Sequence, residues 1–335
     1  MEYRILGKTG LEISRLGFGG IPIQRIDAEG TKALMHKLAD AGVNFIDTAR
    51  GYTVSEEYLG FALEGIRDKF VLATKSMGRT KEAMAKDIDI SLKNLRTDYI
   101  DLYQIHNATP EQLQQIIAPG GALEALQEAK AAGKIRHIGL TSHSLDTFKM
   151  ALTMDWVETF MFPYNIVETQ GEKLIKACQD QNIGFICMKP MAGGAIEDAA
   201  VALRWICEND AVTVVIPGMA DSKELEHNLA AVNNTAPLTT EEKTAAMEIR
   251  SALGTNFCRR CNYCQPCAQG INISACFLFE GYLNRYGLQQ WAKERYATLT
   301  ATASDCIGCG ACESRCPYNL PIRDMLKKVA VQFGK

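Results

Sequence analysis

Short apolar runs alternate with amphipathic stretches along the first 235 residues. The runs at 15–20, 45–46, 70–74, 99–105, 135–141, 159–164, 184–189 and 212–216 have strand length and are bounded by glycine or polar residues, which predicts eight buried strands. Helical patterns follow them at 28–41, 55–66, 80–95, 121–132, 144–154, 171–180, 196–208 and 221–232. In the first, Ala33, Leu34, Leu38 and Ala41 form the expected inward stripe; in the third, Ala83, Ile88, Leu92 and Leu95 do. Ahead of them, 3–7 and 11–14 read as a hairpin turned at Lys8-Thr9-Gly10. Strand–helix units repeated eight times over about 230 residues predict a (β/α)8 barrel of the TIM type. An open doubly wound sheet is the alternative, but Gly17-Phe18-Gly19-Gly20 lacks the G-x-G-x-x-G spacing and the following helix.

In such a barrel the C-terminal strand ends converge on one face. Asp47, Lys75 and His106 stand at the ends of the second, third and fourth strands, and Tyr52 follows in the loop after Asp47. Four proton-handling groups on adjacent strand ends point to proton transfer; a polar plug in the barrel mouth is the plainer alternative. A free phenol has a pKa near 10, too high for easy exchange at neutral pH. An ammonium held by a carboxylate lowers it by stabilising phenolate.

The pattern changes after residue 235. The segment 236–255 reads as a linker helix capped by Thr239 or Thr240, and 256–335 as a second domain. It carries Cys258-x2-Cys261-x2-Cys264-x2-Cys267 and then Cys306-x2-Cys309-x2-Cys312-x3-Cys316-Pro317. The second run is the bacterial ferredoxin spacing for a [4Fe–4S] cluster, whose fourth cysteine reaches the partner cluster. By that logic Cys258, Cys261, Cys264 and Cys316 hold one cluster, and Cys306, Cys309, Cys312 and Cys267 the other. Zinc on paired C-x2-C knuckles is the competing reading. Cys276 lies outside both runs and is expected to be unligated. Phe277, Phe279, Tyr282, Leu283, Tyr286, Trp291 and Tyr296 mark helical packing between the runs, and 325–333 a last helix.

Composition narrows the setting. The chain has 335 residues, 47% of them hydrophobic, and a net charge of −3, which argues against nucleic acid or an anionic membrane as partner. No export signal and no membrane-length apolar run is visible in the sequence, so a cytoplasmic protein is expected. Nine of its twelve cysteines crowd into the tail, where metal binding outweighs disulfides in a reducing compartment. Cys178, Cys187 and Cys207 read as core.

The segments LGKTGLEISRLGFGG, NFIDTARGY, VLATKS, DLYQIH, GKIRHIGLTSHS, PYN, MKPMAGG and VIPG, with Asn228 further on, resemble the aldo-keto reductase family over roughly residues 3–235. The resemblance implies a tetrad of Asp47, Tyr52, Lys75 and His106 and a nicotinamide cofactor bound without a Rossmann domain. Aligned with the family, Thr141 and Ser142 fall at the carboxamide, Met188 where many members stack a tyrosine on nicotinamide, and Lys189 near the pyrophosphate. Met161 replaces a glutamine, Gly218 begins the pair that replaces Lys-Ser, Glu224 replaces an arginine for the 2′-phosphate, and Asn228 matches an adenine contact. Glu224 therefore favours NAD(H) over NADP(H). The tail, CRRCNYCQPCAQGINI and CIGCGACESRCPYNLPI, resembles the C-terminal domain of ferredoxin-fused members.

The combination implies an oxidoreductase that interconverts a carbonyl and an alcohol, with an iron–sulfur module and a ferredoxin or flavoprotein as redox partner. A structural role for the clusters, or a redox-sensing or partner-binding barrel, is the alternative. The expected pocket loops, 21–27, 107–120 and 167–170, carry no charge pattern that names a substrate, and His143 stands beside them.

Overall fold

The structure, a computed structural model, describes residues 1–334; Lys335, the last residue of the expected tail domain, lies outside them. Two compact units are present. The first comprises Met1–Pro190 and Asp198–Leu238, and the second Met191–Glu197 and the chain from Thr239 onward.

The first unit opens with an antiparallel hairpin, β1 (Tyr3–Ile5) and β2 (Glu12–Ser14). Eight parallel strands follow: β3 (Phe18–Gly19), β4 (Phe45–Asp47), β5 (Val71–Ser76), β6 (Ile100–Ile105), β7 (Ile135–Thr141), β8 (Thr159–Pro163), β9 (Gly184–Met188) and β10 (Val214–Val215). They lie side by side in chain order. Parallel bridges from Leu16 to Val215 and from Gly19 to Gly218 join the first of them to the last. The Gly17 N–H donates to the Val215 carbonyl at 2.8 Å in the same seam. The outcome is the expected (β/α)8 barrel.

Two apolar layers follow from strand alternation. Phe45, Ala73, Leu102, Met161, Ile186 and Val214 pack with Leu6 and Ile13 of the hairpin region in one cluster. The larger cluster lies between strands and helices and includes Leu34, Ile46, Leu72, Ile88, Tyr103, Leu140, Phe160 and Phe185. Helices Ser55–Ala62 and Lys81–Asn94 approach so closely that a Cβ on Gly60 would meet the Asn94 carbonyl oxygen at 2.1 Å.

Several expectations need correction. Both predicted stripes were displaced: Ala33 and Ala83 are exposed, and the buried faces run Thr31, Leu34, Met35, Leu38 and Met84, Ile88, Ser91, Leu95. Alanine is apolar enough for either side of a helix. Ser91 is buried because its hydroxyl donates to Glu56 at 2.8 Å. The span 107–120 is not wholly loop; helix Pro110–Ile117 forms there, with Thr109 and Gln112 as a capping box. The helix predicted over 55–66 ends at Ala62 and gives way to a short 3-10 turn, Arg67–Lys69.

The second unit is helical. Thr239 caps Thr240–Gly254 in a capping box with Glu242. Ile273–Asn284, Gln289–Ala297, Ala311–Ser314 and Ile322–Phe333 follow. Their core includes Ile273, Phe277, Phe279, Tyr282, Tyr296 and Leu326. Tyr282 stacks on Trp291 at 4.5 Å and meets Tyr286 edge-on at 5.2 Å, so these aromatics pack the unit. Among the described residues, no helix is long and apolar enough to cross a membrane.

Candidate functional site

Asp47 is the last residue of β4, Lys75 the fifth residue of β5, and His106 follows β6 directly. Parallel pairing sets Asp47 against Ala73 and Lys75 against Gln104, which brings these ends to one rim. Lys75 Nζ donates to Asp47 Oδ2 at 2.5 Å and to the Thr48 carbonyl at 2.8 Å. The same ammonium lies 4.8 Å from the centre of the Tyr52 ring. Tyr52 and His106 meet edge to face, with centroids 6.0 Å apart and planes at 86°. All four expected residues therefore form one cluster.

Both members of the ion pair are buried, Asp47 to 3% exposure and Lys75 to 2%. Burial pushes the Asp47 carboxyl up and the Lys75 ammonium down, while their mutual attraction opposes both shifts. Each charge thus depends on the other. Gln104 donates to Asp47 Oδ1 at 3.0 Å and completes the carboxylate's setting. The sequence held a signal for Gln104: it lies two positions before His106 in a strand of period two.

The residues expected around a dinucleotide lie on the same rim. Thr141 ends β7 and Ser142 follows it, Met188 ends β9 and Lys189 follows it, and Gly218 follows β10. The hydroxyls at 141 and 142 are partly engaged: Thr141 Oγ1 accepts from Asn107 N–H at 2.8 Å, and Ser142 Oγ donates to the Ala108 carbonyl at 2.7 Å. Ser142 Oγ also accepts from Ser144 N–H at 3.0 Å, and Thr141 and Ser142 are both buried. Met188 is half-buried, and Met161 lies inside the barrel. Lys189 has φ 55°, a left-handed conformation costly for a side-chain-bearing residue. Asn165 Nδ2 donates to its carbonyl at 3.0 Å. Asn228 is buried on helix Ser222–Asn233.

Glu224 accepts from Ala220 N–H at 2.6 Å and pairs with Arg25 at 3.2 Å. No local pattern foretold this partner, which is 199 residues away in sequence. His143 Nδ1 pairs with Asn107 Oδ1 at 2.8 Å.

In the second unit, Cys267, Cys306, Cys309 and Cys312 line one cavity together with Arg315 and Arg323. Gly308 and Gly310 have φ 70° and 78°, which lets the short loop through Cys306, Cys309 and Cys312 wrap around that space. Cys258 and Cys261 lie close enough to Cys264, and Cys316 to Cys261, to interact electrostatically; Cys312 also reaches Cys264, so the two groups adjoin. Among the described residues, no three His, Cys, Asp or Glu side chains converge on one ion. A four-cysteine cluster needs something else, thiolates ringing a volume. The cavity's donor set fits that requirement. Cys276 is fully buried on Ile273–Asn284, and burial pushes its thiol up to about 12, so it stays protonated at neutral pH.

A family model for the aldo/keto reductase family matches residues 15–200 and 196–250, and one for a 4Fe-4S dicluster domain matches 257–321. The chain belongs to the aldo/keto reductase family and carries a C-terminal 4Fe-4S dicluster domain. L-galactose dehydrogenase of Arabidopsis thaliana is 29% identical over 297 residues, covering 73% of this chain and 92% of that protein. L-glyceraldehyde 3-phosphate reductase of Escherichia coli K12 is 24% identical over 310 residues, covering 70% of this chain and 88% of that protein. Among solved structures, the holo form of aldo-keto reductase AKR11C1 from Bacillus halodurans gives a TM-score of 0.65 at 26% identity, covering 74% of this chain and 96% of that one.

Proposed function

We propose that the protein interconverts a carbonyl and an alcohol by nicotinamide hydride transfer, with Tyr52 as general acid and base, in a barrel joined to a two-cluster electron-transfer domain. The observation that carries this reading is the Lys75 ammonium, buried against Asp47 and lying over the Tyr52 ring. A nicotinamide supplies the hydride when bound. Tyr52 gives its phenolic proton to the substrate oxygen as negative charge develops there. Lys75 stabilises the phenolate that remains, and Asp47 with Gln104 holds Lys75 in place. His106, against the Tyr52 ring, orients the same oxygen and donates to it. In alcohol oxidation Tyr52 takes the proton back.

A bound dinucleotide would be held by Thr141 and Ser142 at its carboxamide, by Met188 at its nicotinamide and by Lys189 at its pyrophosphate. Gly218 would give the dinucleotide room, and Asn228 would contact its adenine. Glu224 accepts from a free 2′-hydroxyl and occupies Arg25, which favours NAD(H). Replacing Glu224 by alanine frees that guanidinium. Affinity for NADPH relative to NADH is then expected to rise roughly tenfold to a hundredfold, the range for a charge-assisted hydrogen bond. Dissociation constants for both dinucleotides check this; tighter wild-type binding of NADPH than of NADH contradicts it.

Cys258, Cys261, Cys264 and Cys316 hold one cluster, and Cys306, Cys309, Cys312 and Cys267 the other. Such clusters carry single electrons, whereas a hydride carries two, so a ferredoxin or flavoprotein is the fitting redox partner. The reading goes with a reducing cytoplasm. Anaerobically purified protein, supplied with NADH or NADPH and a panel of aldehydes, ketones and sugars, tests it. Failure to reduce any carbonyl or oxidise any alcohol would count against it.

A further inference from the structure

The loop that carries Tyr52 is closed by an ion pair whose carboxylate is buried. Arg50 Nη1 meets Glu56 Oε2 at 2.8 Å, and the Glu56 side chain is 1% exposed. Between them, Tyr52 N–H donates to the Ala49 carbonyl at 3.0 Å and Ser55 N–H to the Tyr52 carbonyl at 2.9 Å. Thr48 and Ser55 share a buried hydroxyl contact at 2.7 Å. Thr53, inside the loop, has φ 45°, a strained conformation that persists only where the surroundings dictate it.

The closed loop is also fastened to the strand of Lys75. Glu56 Oε1 accepts from Thr74 Oγ1 at 2.8 Å, and Thr74 is the residue before Lys75. Arg50 N–H donates to the Lys75 carbonyl at 3.0 Å. The third fastening is helix Lys81–Asn94, where Ser91 Oγ donates to Glu56 Oε1 at 2.8 Å and Asn94 Nδ2 to Oε2 at 3.4 Å. Behind them, Tyr103 of β6 meets Ser91 at 3.2 Å, and Asp87 lies 3.7 Å from Arg50 Nε while bonding Ser76. Glu56 is 1% exposed; of its four partners, Arg50 lies in the Tyr52 loop and Thr74 in the Lys75 strand, while Ser91 and Asn94 tie both to helix Lys81–Asn94.

We infer that the Arg50–Glu56 pair is a positioning device that sets the Tyr52–Lys75 geometry and thereby the proton-transfer rate; this rests on the proposed role of Tyr52. Glu56 acts through Thr74 and Arg50, never on substrate. Small displacements matter here, because an error of about 1 Å at a reacting group can cost on the order of a hundredfold in rate.

The test is Glu56→Gln, which removes the charge and keeps the shape, with Arg50→Gln as the second variant should the first fail to fold. The expected result is a fall in kcat of about tenfold or more, with the dinucleotide Kd and Tm near wild type. The primary isotope effect from dinucleotide deuterated at the transferred hydrogen should rise as chemistry slows. In a Tyr52→Phe background the additional loss should vanish, since the two changes disable one step. Unchanged kcat and isotope effect in both variants overturn the inference. So does an equal fold-loss in the Tyr52→Phe background, which assigns the pair to general stability. A fully active Tyr52→Phe protein removes the proposed function itself, and is distinguishable because it involves neither Glu56 nor Arg50.

Discussion

Replacing Tyr52 by phenylalanine is expected to lower kcat for carbonyl reduction by about a hundredfold to ten-thousandfold, the usual contribution of a positioned general acid. That corresponds to roughly 3–5 kcal/mol of transition-state stabilisation. Phenylalanine keeps the ring and its face toward Lys75 and removes only the hydroxyl, so packing and the edge contact with His106 should survive. Dinucleotide binding should be little changed, because no proposed dinucleotide contact runs through the phenol. Fluorescence titration with NADH and steady-state kinetics at several pH values measure the two effects separately. Lys75 is buried with Asp47, so the field of its ammonium reaches the phenol through a medium of low effective dielectric. Wild-type kcat in the variant would show that another group supplies the proton.

The sequence made the barrel and the cluster at its mouth legible for a simple reason. Strand ends are local features, and a closed parallel barrel brings every strand's C-terminal end to one rim. Asp47, Lys75 and His106 are therefore legible together from the sequence, and the two cysteine runs are legible from their spacing. What escaped was non-local or chemically ambiguous. The sequence marks Glu56 only as part of a helix start; its burial comes from Thr74 of β5 and helix Lys81–Asn94, both distant in sequence. Arg25 meets Glu224 across most of the barrel's sequence, so no local pattern could show that pair. Ala33 and Ala83 were misassigned because alanine carries little information about which helix face is buried. Helix Pro110–Ile117 forms inside the span expected as a pocket loop, with Pro110 in its first turn, where a missing N–H costs nothing.

The second large effect is expected in the tail, and it tests the crossing of ligands between the two cysteine runs. The wild-type protein should hold about eight irons and matching sulfide, two clusters of four. Cys267→Ala should remove about four of them and extinguish the same electron paramagnetic resonance signal that Cys306→Ala extinguishes. Cys316→Ala should instead remove the signal lost in Cys258→Ala. The reason is spatial: Cys267 lines one cavity with Cys306, Cys309 and Cys312, while Cys316 acts on Cys261 of the earlier run. A thiol lost from a four-cysteine site leaves one iron without its protein ligand, and the cluster is the unit that fails. If Cys267→Ala and Cys258→Ala abolish one and the same signal, each run binds its own cluster and the crossing is wrong. Zinc without sulfide in the wild-type protein would overturn the cluster assignment altogether. The same variants separate the roles of the domain. NADH-dependent carbonyl reduction that persists after loss of either cluster makes hydride transfer self-sufficient in the barrel, as the balance of electrons allows. Turnover that stops with cluster loss, while the far-ultraviolet spectrum and Tm hold, makes the clusters part of the electron route.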